Sequence, residues 1–268
     1  MKRHNLSMIL ASIVVLTGYI VFSYTSNALP QEAFSRLEEV SVPDRTQRIL
    51  VFSPHPDDET IAVGGYIYSA RQAGAVVHVV LVSDGDKHGL KEVRYQEFRK
   101  ATAVLGVPPN ELEFWGFPDG KINMFSEDLG EKIALEIAVF KPTIIIYPFM
   151  ADSHPDHADV GHDVDKQLAL MGKDAANIKA YGYLVHFSYY PEPSIFERGS
   201  DLLPPASLGQ EDWGRYYLSD EARQTKKAAV ANYKSQLRNP YLRSLFDRML
   251  RSNELLVRRW PSLGGLKV

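Results

Sequence analysis

The feature that most constrains the fold is a regular alternation of short apolar runs with longer amphipathic segments. The runs predict strands at residues 49–52, 76–82, 112–115, 143–147 and 181–187. The segments between them predict helices at residues 60–73, 92–105, 127–140 and 157–171. Each predicted strand is almost continuously apolar, which is typical of a parallel strand buried on both faces. The sequence therefore predicts an α/β fold with a mostly parallel sheet and helices on both faces.

The remainder of the chain is less regular. Residues 31–47 are polar and suit a linker or a leading helix, and residues 189–213 are rich in Pro, Gly and aromatic residues and predict a long loop. C-terminal helices are expected at about 220–237 and 240–258. The length after residue 30 suits one domain, which we place at residues 31–268.

The first 30 residues differ from the rest. Lys2 and Arg3 precede residues 6–22, which carry no charge. That run is long for the apolar part of a signal peptide and short for a membrane-spanning helix, so a cleaved signal and an uncleaved membrane anchor both remain open. Either interpretation places residues 31–268 outside the cytoplasm.

The charge balance speaks against a nucleic-acid partner. The net charge is -3, and no long basic run or basic face stands out, whereas nucleic-acid binding calls for a concentrated positive surface. The sequence does not indicate an oligomeric state.

The first polar cluster follows the first predicted strand, at residues 54–59, and combines one histidine with three acids. Carboxylates this close repel one another unless a cation is present. The chain has no cysteine, so a metal must bind to histidine and carboxylate side chains. His55 and Asp58 offer one nitrogen and one oxygen ligand, and Asp57 between them is a candidate general base.

The second cluster, at residues 154–157, follows the fourth predicted strand. His157 can supply a third ligand, and two histidines with one carboxylate leave a position open, as in catalytic zinc sites. Fe²⁺ suits the same ligands. His154 could stabilise an oxyanion or protonate a leaving amine, and Asp156 could orient an imidazole from behind.

A structural alternative exists, because an acid after a strand can simply cap a helix. One His-Pro-Asp turn would favour that alternative. Two of them, each after a strand of a parallel sheet, favour a metal site at the carboxyl edge of the sheet.

Other signals are weaker. His78 lies within a predicted strand and is expected in the core, whereas His88, His162 and His186 are expected to be structural or superficial. No Gly-x-Ser-x-Gly elbow indicates a serine hydrolase. A cluster of aromatic residues could form a sugar-stacking rim, although ordinary packing explains it equally well: Tyr189, Tyr190, Trp213, Tyr216 and Tyr217.

Residues 48–258 resemble the PIG-L/LmbE-like family of zinc-dependent de-N-acetylases. The resemblance rests on residues 53–59 with Gly64-Gly65 behind them, on residues 154–157, and on three weaker segments. Those segments are residues 94–107, residues 115–120, and the helix from Lys227 to Ser235-Gln236.

By that resemblance the fold is Rossmann-like. The zinc ligands are His55, Asp58 and His157, with Asp57 as the base and His154 assisting at the oxyanion. Arg94 and Asp119 match positions that contact the sugar or its substituent. One departure concerns Asp152, which stands where some relatives place a tyrosine that helps the oxyanion. The oxyanion should therefore depend more on His154 or on a tyrosine of the long loop.

The expected function is metal-dependent removal of acetate from an N-acetylglucosamine-type sugar on an extracytoplasmic glycan or glycolipid. Two alternatives remain open at this point. One is hydrolysis of another amide or of a longer N-acyl group, and the other is a non-catalytic sugar-binding module.

Overall fold

A computed structural model describes residues 9, 10, 12–18, 27–192 and 200–259 of the chain. Their strands form one eight-stranded sheet in the order β1-β7-β8-β6-β5-β2-β3-β4. The strands are β1 (Glu38–Glu39), β2 (Arg48–Ser53), β3 (Val76–Ser83), β4 (Leu112–Phe117), β5 (Ile144–Pro148), β6 (Lys179–Tyr183), β7 (Trp213–Tyr217) and β8 (Asn253–Arg259). All neighbours are parallel except that β8 runs antiparallel to β6 and β7. The predicted α/β fold is confirmed.

Helices cover both faces of the sheet. They are α1 (Gln31–Phe34), α2 (Asp58–Gln72), α3 (Lys91–Val104), α4 (Ser126–Phe140), α5 (Pro155–Met171), α6 (Asp220–Val230), α7 (Lys234–Leu237) and α8 (Pro240–Met249). One apolar core lies under α2, α3, α6 and α8, and a second lies under α4 and α5 on the opposite face. The strands β2 and β5 are buried along almost their whole length, which explains their continuous apolar sequences.

The strand order reverses between β2 and β5. From β2 the chain adds β3 and β4 on one side, and it then returns to add β5 and β6 on the other. Open α/β sheets bind ligands at such a switch point, beyond the carboxyl ends of the strands. The two His-Pro-Asp loops follow β2 and β5, so topology brings the two clusters to the same crevice.

Helix α2 is interrupted near its middle. Val63 has φ -134° and ψ 19°, which is not helical, and the amides of Gly65 and Tyr66 donate to the Glu254 carboxylate at 2.8 Å. Lys226 lies 2.7 Å from the same carboxylate, and both charged side chains are buried. The break is therefore capped by a buried ion pair built from α6 and β8.

Two expectations about the chain ends were wrong in part, and one strand was not predicted. Residues 253–259 form strand β8 rather than the end of a helix. Residues 213–217, of which only Trp213 lay in the predicted loop, form strand β7. Residues 31–47 contain the short α1 and the edge strand β1 rather than a linker or one leading helix.

The proposed signal or anchor at residues 1–30 falls mainly outside the described residues. Residues 9, 10 and 12–18 are helical, and their large apolar side chains are more than half exposed. Within the described part of the chain, no helix combines the length and the apolar character needed to cross a membrane.

Candidate metal centre and active site

Three side chains from the two His-Pro-Asp loops meet at one point. His55 Nδ1 lies 3.2 Å from Asp58 Oδ2 and 3.2 Å from His157 Nε2, and His157 Nε2 lies 3.0 Å from Asp58 Oδ2. All three residues are buried. A single ion with bonds of about 2.0–2.2 Å can bridge three atoms at this spacing. The structure thus brings together the three residues predicted as metal ligands.

Tight backbone geometry holds this triad in place. His55 lies in the turn after β2, and Asp58 is the first residue of α2, while His157 lies in the first turn of α5. Helix α5 passes so close to β5 that a Cβ at Gly161 would come within 2.4 Å of the Pro148 carbonyl oxygen. Only glycine at position 161 permits this approach, which places His157 against the carboxyl end of the sheet.

Asp156 supports the triad from behind. Its Oδ2 lies 3.1 Å from His55 Nε2 and accepts a hydrogen bond from the Gly120 amide at 2.7 Å, and its Oδ1 accepts from the Ile122 amide. His55 therefore has one ring nitrogen toward the triad and the other toward a fixed carboxylate. This arrangement fixes the orientation of a ligand imidazole.

Asp152 gives similar support to His157. Its Oδ2 lies 3.3 Å from His157 Nδ1, close enough for an ion-pair contact. The same carboxylate accepts from the backbone amides of Val185 and His186, and its other oxygen accepts from His154 N. Asp152 therefore ties the loop after β5 to the loop after β6, a role that the sequence did not reveal.

The mutual charges of the triad shift its pKa values strongly. Burial opposes protonation of His55, but contacts with Asp156 and Asp58 outweigh burial and raise the pKa of His55 to about 9. Burial alone would raise the pKa of Asp58, yet the charge and hydrogen bonds of His157 hold it well below its usual range. In the metal-free protein the site therefore favours bound protons on its imidazoles, with which a cation must compete.

Asp57 lies at the junction of the β2 loop and α2 in a strained conformation. Its φ is 151°, a region that residues other than glycine rarely adopt and that is often found at functional sites. Burial raises the pKa of Asp57 to about 8, and the adjacent Asp58 charge adds to this effect. Arg94 opposes it, with Nη2 3.4 Å from Asp57 Oδ2. A buried carboxyl with a raised pKa is suited to general-base work.

Arg94 links the candidate base to the sugar-contact candidate Asp119. Its Nη1 donates to Asp119 Oδ2 at 3.2 Å and to the Gly85 carbonyl at 3.0 Å. Asp119 in turn lies 3.6 Å from His55 Nε2. The structure thus brings Arg94 and Asp119 to the same wall of the site.

A cavity of about 500 Å³ opens over these groups. His154 forms part of its wall, with its ring centroid 4.7 Å from that of His55 and 5.1 Å from that of His157. Burial lowers the pKa of His154 to about 4, with the charges of the two neighbouring imidazoles adding to the effect. The far wall comes from the loop after β3 and from the segment containing α7 and α8.

Hydrogen bonds between helix α3 and helix α7 fix the far wall of the cavity. Glu97 on α3 accepts a hydrogen bond from the Ser235 amide at 2.8 Å and from the Ser235 hydroxyl at 2.6 Å. Arg94, which contacts Asp57 and Asp119, lies one turn before Glu97 on α3. Helix α3 therefore connects the metal side of the cavity to the side formed by α7.

His186 was expected to be structural or superficial, and its position was missed. It follows β6, lines the cavity, and has a ring nitrogen within 4.8 Å of ligand atoms of Asp58 and His157. Its place just beyond a strand of the parallel sheet was the signal that could have revealed it, because that edge carries the site.

Two further expectations can be judged. His78 is only partly buried, not a core residue, and contacts Glu111 and Glu136 at 3.1 and 3.4 Å. Within the described part of the chain, none of the five aromatic residues proposed as a sugar rim lines the cavity. Three of them are buried: Tyr190, Trp213 and Tyr216. Packing accounts for these three.

The fold and the site together define a class: a doubly wound α/β protein with a metal-capable histidine and carboxylate cluster at its switch point. Residues 50–167 match the model of the family described as PIG-L, GlcNAc-PI de-N-acetylase. These residues include most of β2, the strands β3 to β5 and all three residues of the triad. This part of the chain is therefore similar to the PIG-L family domain.

Curated relatives share this region at modest identity. The chain is 25% identical to a diacetylchitobiose deacetylase of Thermococcus kodakarensis over 59% of this chain and 65% of that protein. It is 27% identical to a probable N-acetyl-alpha-D-glucosaminyl L-malate deacetylase 2 of Bacillus anthracis over 56% of this chain and 70% of that protein. The chain thus spans about two thirds of these relatives, and the match supports a relationship to N-deacetylases.

Solved structures confirm the fold. A conserved protein from Thermus thermophilus aligns with a TM-score of 0.59 at 22% identity, over 82% of this chain and 97% of that chain. A zinc-inhibited form of a teicoplanin deacetylase aligns with a TM-score of 0.56 at 21% identity, over 79% and 98%. A 4-carboxy-2-hydroxymuconate hydratase from Pseudomonas putida aligns equally well, with a TM-score of 0.58 at 16% identity over 83% and 100%. The fold alone therefore does not decide the reaction.

Proposed function

We propose that this protein hydrolyses the acetamide of an N-acetylglucosamine-type sugar and releases acetate, with zinc as its metal. The observation that carries the proposal is the triad of His55, Asp58 and His157 with Asp57 beside it on the cavity. Two relatives named as deacetylases of N-acetylglucosamine compounds support the choice of reaction.

The donor set fits zinc. Two imidazole nitrogens and one carboxylate oxygen at 3.0–3.2 Å from one another match a three-ligand catalytic site, and the cavity gives access to it. Fe²⁺ would suit the same donors. When bound, the metal polarises a carbonyl and makes water a nucleophile near neutral pH.

The protein residues supply the remaining chemistry. Asp57 takes a proton from the attacking water, and Arg94 fixes the orientation of its carboxylate. Arg94 and Asp119 also present polar atoms to the sugar on one wall. His154 lies on the cavity wall beside His55 and His157, and its lowered pKa leaves it a neutral imidazole that can donate an N–H hydrogen bond to the leaving nitrogen. Asp57, with its pKa raised to about 8, can pass the proton taken from water to the leaving amine, so that one carboxyl serves first as base and then as acid.

The site of action is a separate part of the proposal. The uncharged run after Lys2 and Arg3 is the only support for export or membrane anchoring, and it favours an extracytoplasmic glycan or glycolipid as substrate. A fusion of residues 1–30 to a reporter that is active only outside the cytoplasm tests this. Reporter activity supports export, and an inactive cytoplasmic fusion contradicts it.

The reaction is tested by acetate release from a panel of N-acetylglucosamine compounds. We expect release that stops with a chelator and returns with zinc. Asp57→Asn should lower kcat by about 10²- to 10⁴-fold because the general base is lost. It should retain zinc, since the three ligands are untouched. Asp128→Asn, an exposed site on α4, is the matched control and should behave as the unaltered protein.

The alternatives predict different results. Release of a longer acyl group without acetate would indicate a different N-acyl substrate. Sugar binding without any release from zinc-loaded, folded protein would indicate a binding module. Normal turnover by Asp57→Asn would contradict the role assigned to Asp57.

A further inference from the structure

Two imidazoles in addition to the triad face the cavity. His154 has a ring nitrogen within 4.8 Å of ligand atoms of His55 and His157, and His186 has one within 4.8 Å of ligand atoms of Asp58 and His157. The centroids of the two rings are 5.4 Å apart. His154 and His186 therefore lie next to each other beside His157, with His154 nearer His55 and His186 nearer Asp58. The reaction as described so far uses only His154.

The hydrolysis needs a hydrogen-bond donor for the carbonyl oxygen as that oxygen gains negative charge. Asp152 cannot serve, because its carboxylate is buried and already accepts from three backbone amides. Tyr190 is buried, and Tyr189 is 64% exposed and lies outside the cavity wall in the described part of the chain. His186 is the imidazole that remains on the Asp58 side.

The backbone around His186 is fixed in a way that suits a positioned donor. The His186 amide donates to Asp152 at 2.9 Å, and its carbonyl accepts from the Ser153 amide at 2.6 Å. The loop after β6 is thereby fastened to the loop after β5. His186 and His157 also meet edge to face, with centroids 5.0 Å apart. The backbone of His186 is therefore fixed, and its ring packs against His157.

We propose that His186 donates a ring N–H hydrogen bond to the amide carbonyl oxygen as it becomes anionic. This inference rests on the proposed deacetylation. Water adds to the carbonyl carbon and its proton goes to Asp57. The C–N bond then breaks as Asp57 passes that proton to the leaving nitrogen, to which the neutral His154 can donate an N–H hydrogen bond. His186 keeps its proton throughout.

A role as a fourth metal ligand fits less well. Among the described residues, His186 forms no ion pair with Asp58, whereas the triad atoms lie within 3.2 Å of one another. Three protein ligands with an open position also match a catalytic rather than a structural site.

The test compares His186→Phe, which keeps a ring but removes the donor, with His186→Gln, which keeps an N–H. The readouts are kcat, KM, zinc content and affinity for the glucosamine product, all with zinc-loaded full-length protein. We expect His186→Phe to lower kcat about 100-fold, as for loss of one oxyanion donor, with KM and zinc content unchanged. His186→Gln should retain at least a tenth of the activity. His162→Asn, an exposed histidine on α5, is the matched control.

Several results would overturn the proposal. One is a kcat for His186→Phe within threefold of the unaltered enzyme. Another is loss of zinc in step with activity, which would make His186 a ligand. Equal loss in both variants would point to ring shape rather than donation. If His186→Phe does not fold, His186→Ala gives the same comparison with His186→Gln. Failure of the unaltered protein to release acetate would count against the proposed function rather than against His186.

Discussion

The buried ion pair between Lys226 and Glu254 gives the sharpest test of how the fold is held. Lys226 is 1% exposed, and Glu254 is fully buried and caps the broken helix α2 through two backbone amides. Lys226→Met keeps most of the apolar stem but leaves a buried carboxylate without its cation. Breaking a buried pair in this way costs about 3–5 kcal/mol, because the remaining charge stays desolvated.

The expected loss is large enough to measure by urea unfolding followed with circular dichroism. For a domain of this size it corresponds to a fall in Tm of roughly 10 °C. Arg223→Met is the matched control on the same helix, because Arg223 pairs with Asp220 at the surface, where ion pairs contribute little. A loss below about 1 kcal/mol for Lys226→Met would refute the reasoning and show that the site relaxes or admits water.

Two further predictions concern metal binding and packing. Zinc affinity should rise with pH toward pH 9, because His55, with its pKa raised to about 9, must lose its proton before it can bind the ion. Competition with a chelator between pH 6 and 9 measures the affinity, and an affinity that does not change with pH would contradict the prediction. Gly161→Ala should lower both stability and zinc affinity, because the new Cβ would clash with the carbonyl oxygen of Pro148. Gly130→Ala is the control: its Cβ meets only the end of a flexible side chain, so this change should be neutral or stabilising. Equal Tm values for the two variants would contradict this packing argument.

The part of the fold around the site could be predicted from sequence because its signals are local. Strands β2 and β5 are almost continuously apolar, and the residues of the triad lie in two short motifs directly after them. Parallel topology then requires those motifs to meet at one edge. The roles assigned to the site residues remain predictions until the variants are measured.

The remainder depended on contacts that sequence spacing cannot show. Residues 253–259 contain Glu, Leu and Arg, which favour helix, and β8 is a strand only because β6 and β7 lie on either side of it. The partner of Glu254 is 28 residues away, and the amides that it caps are 188 and 189 residues away. The contacts of Asp152 could not be predicted either, because the amides that it binds, at residues 185 and 186, belong to another loop. From the sequence it was only a departure from the family motif.

The position of β8 also determines the order in which the strands can join the sheet during synthesis. It is the last described strand in the chain, yet it lies between β6 and β7 and bonds to both. During synthesis the portion from β2 to β6, with the whole metal triad, leaves the ribosome first and can pair with itself. Until residues 253–259 follow, β7 can pair only with the two-residue strand β1 and has no link to the rest of the sheet. A chain that terminates before residue 253 would therefore have the residues of its metal triad assembled, the edge of β6 unpaired and the α2 break uncapped. Such a product is prone to aggregate through the open edge.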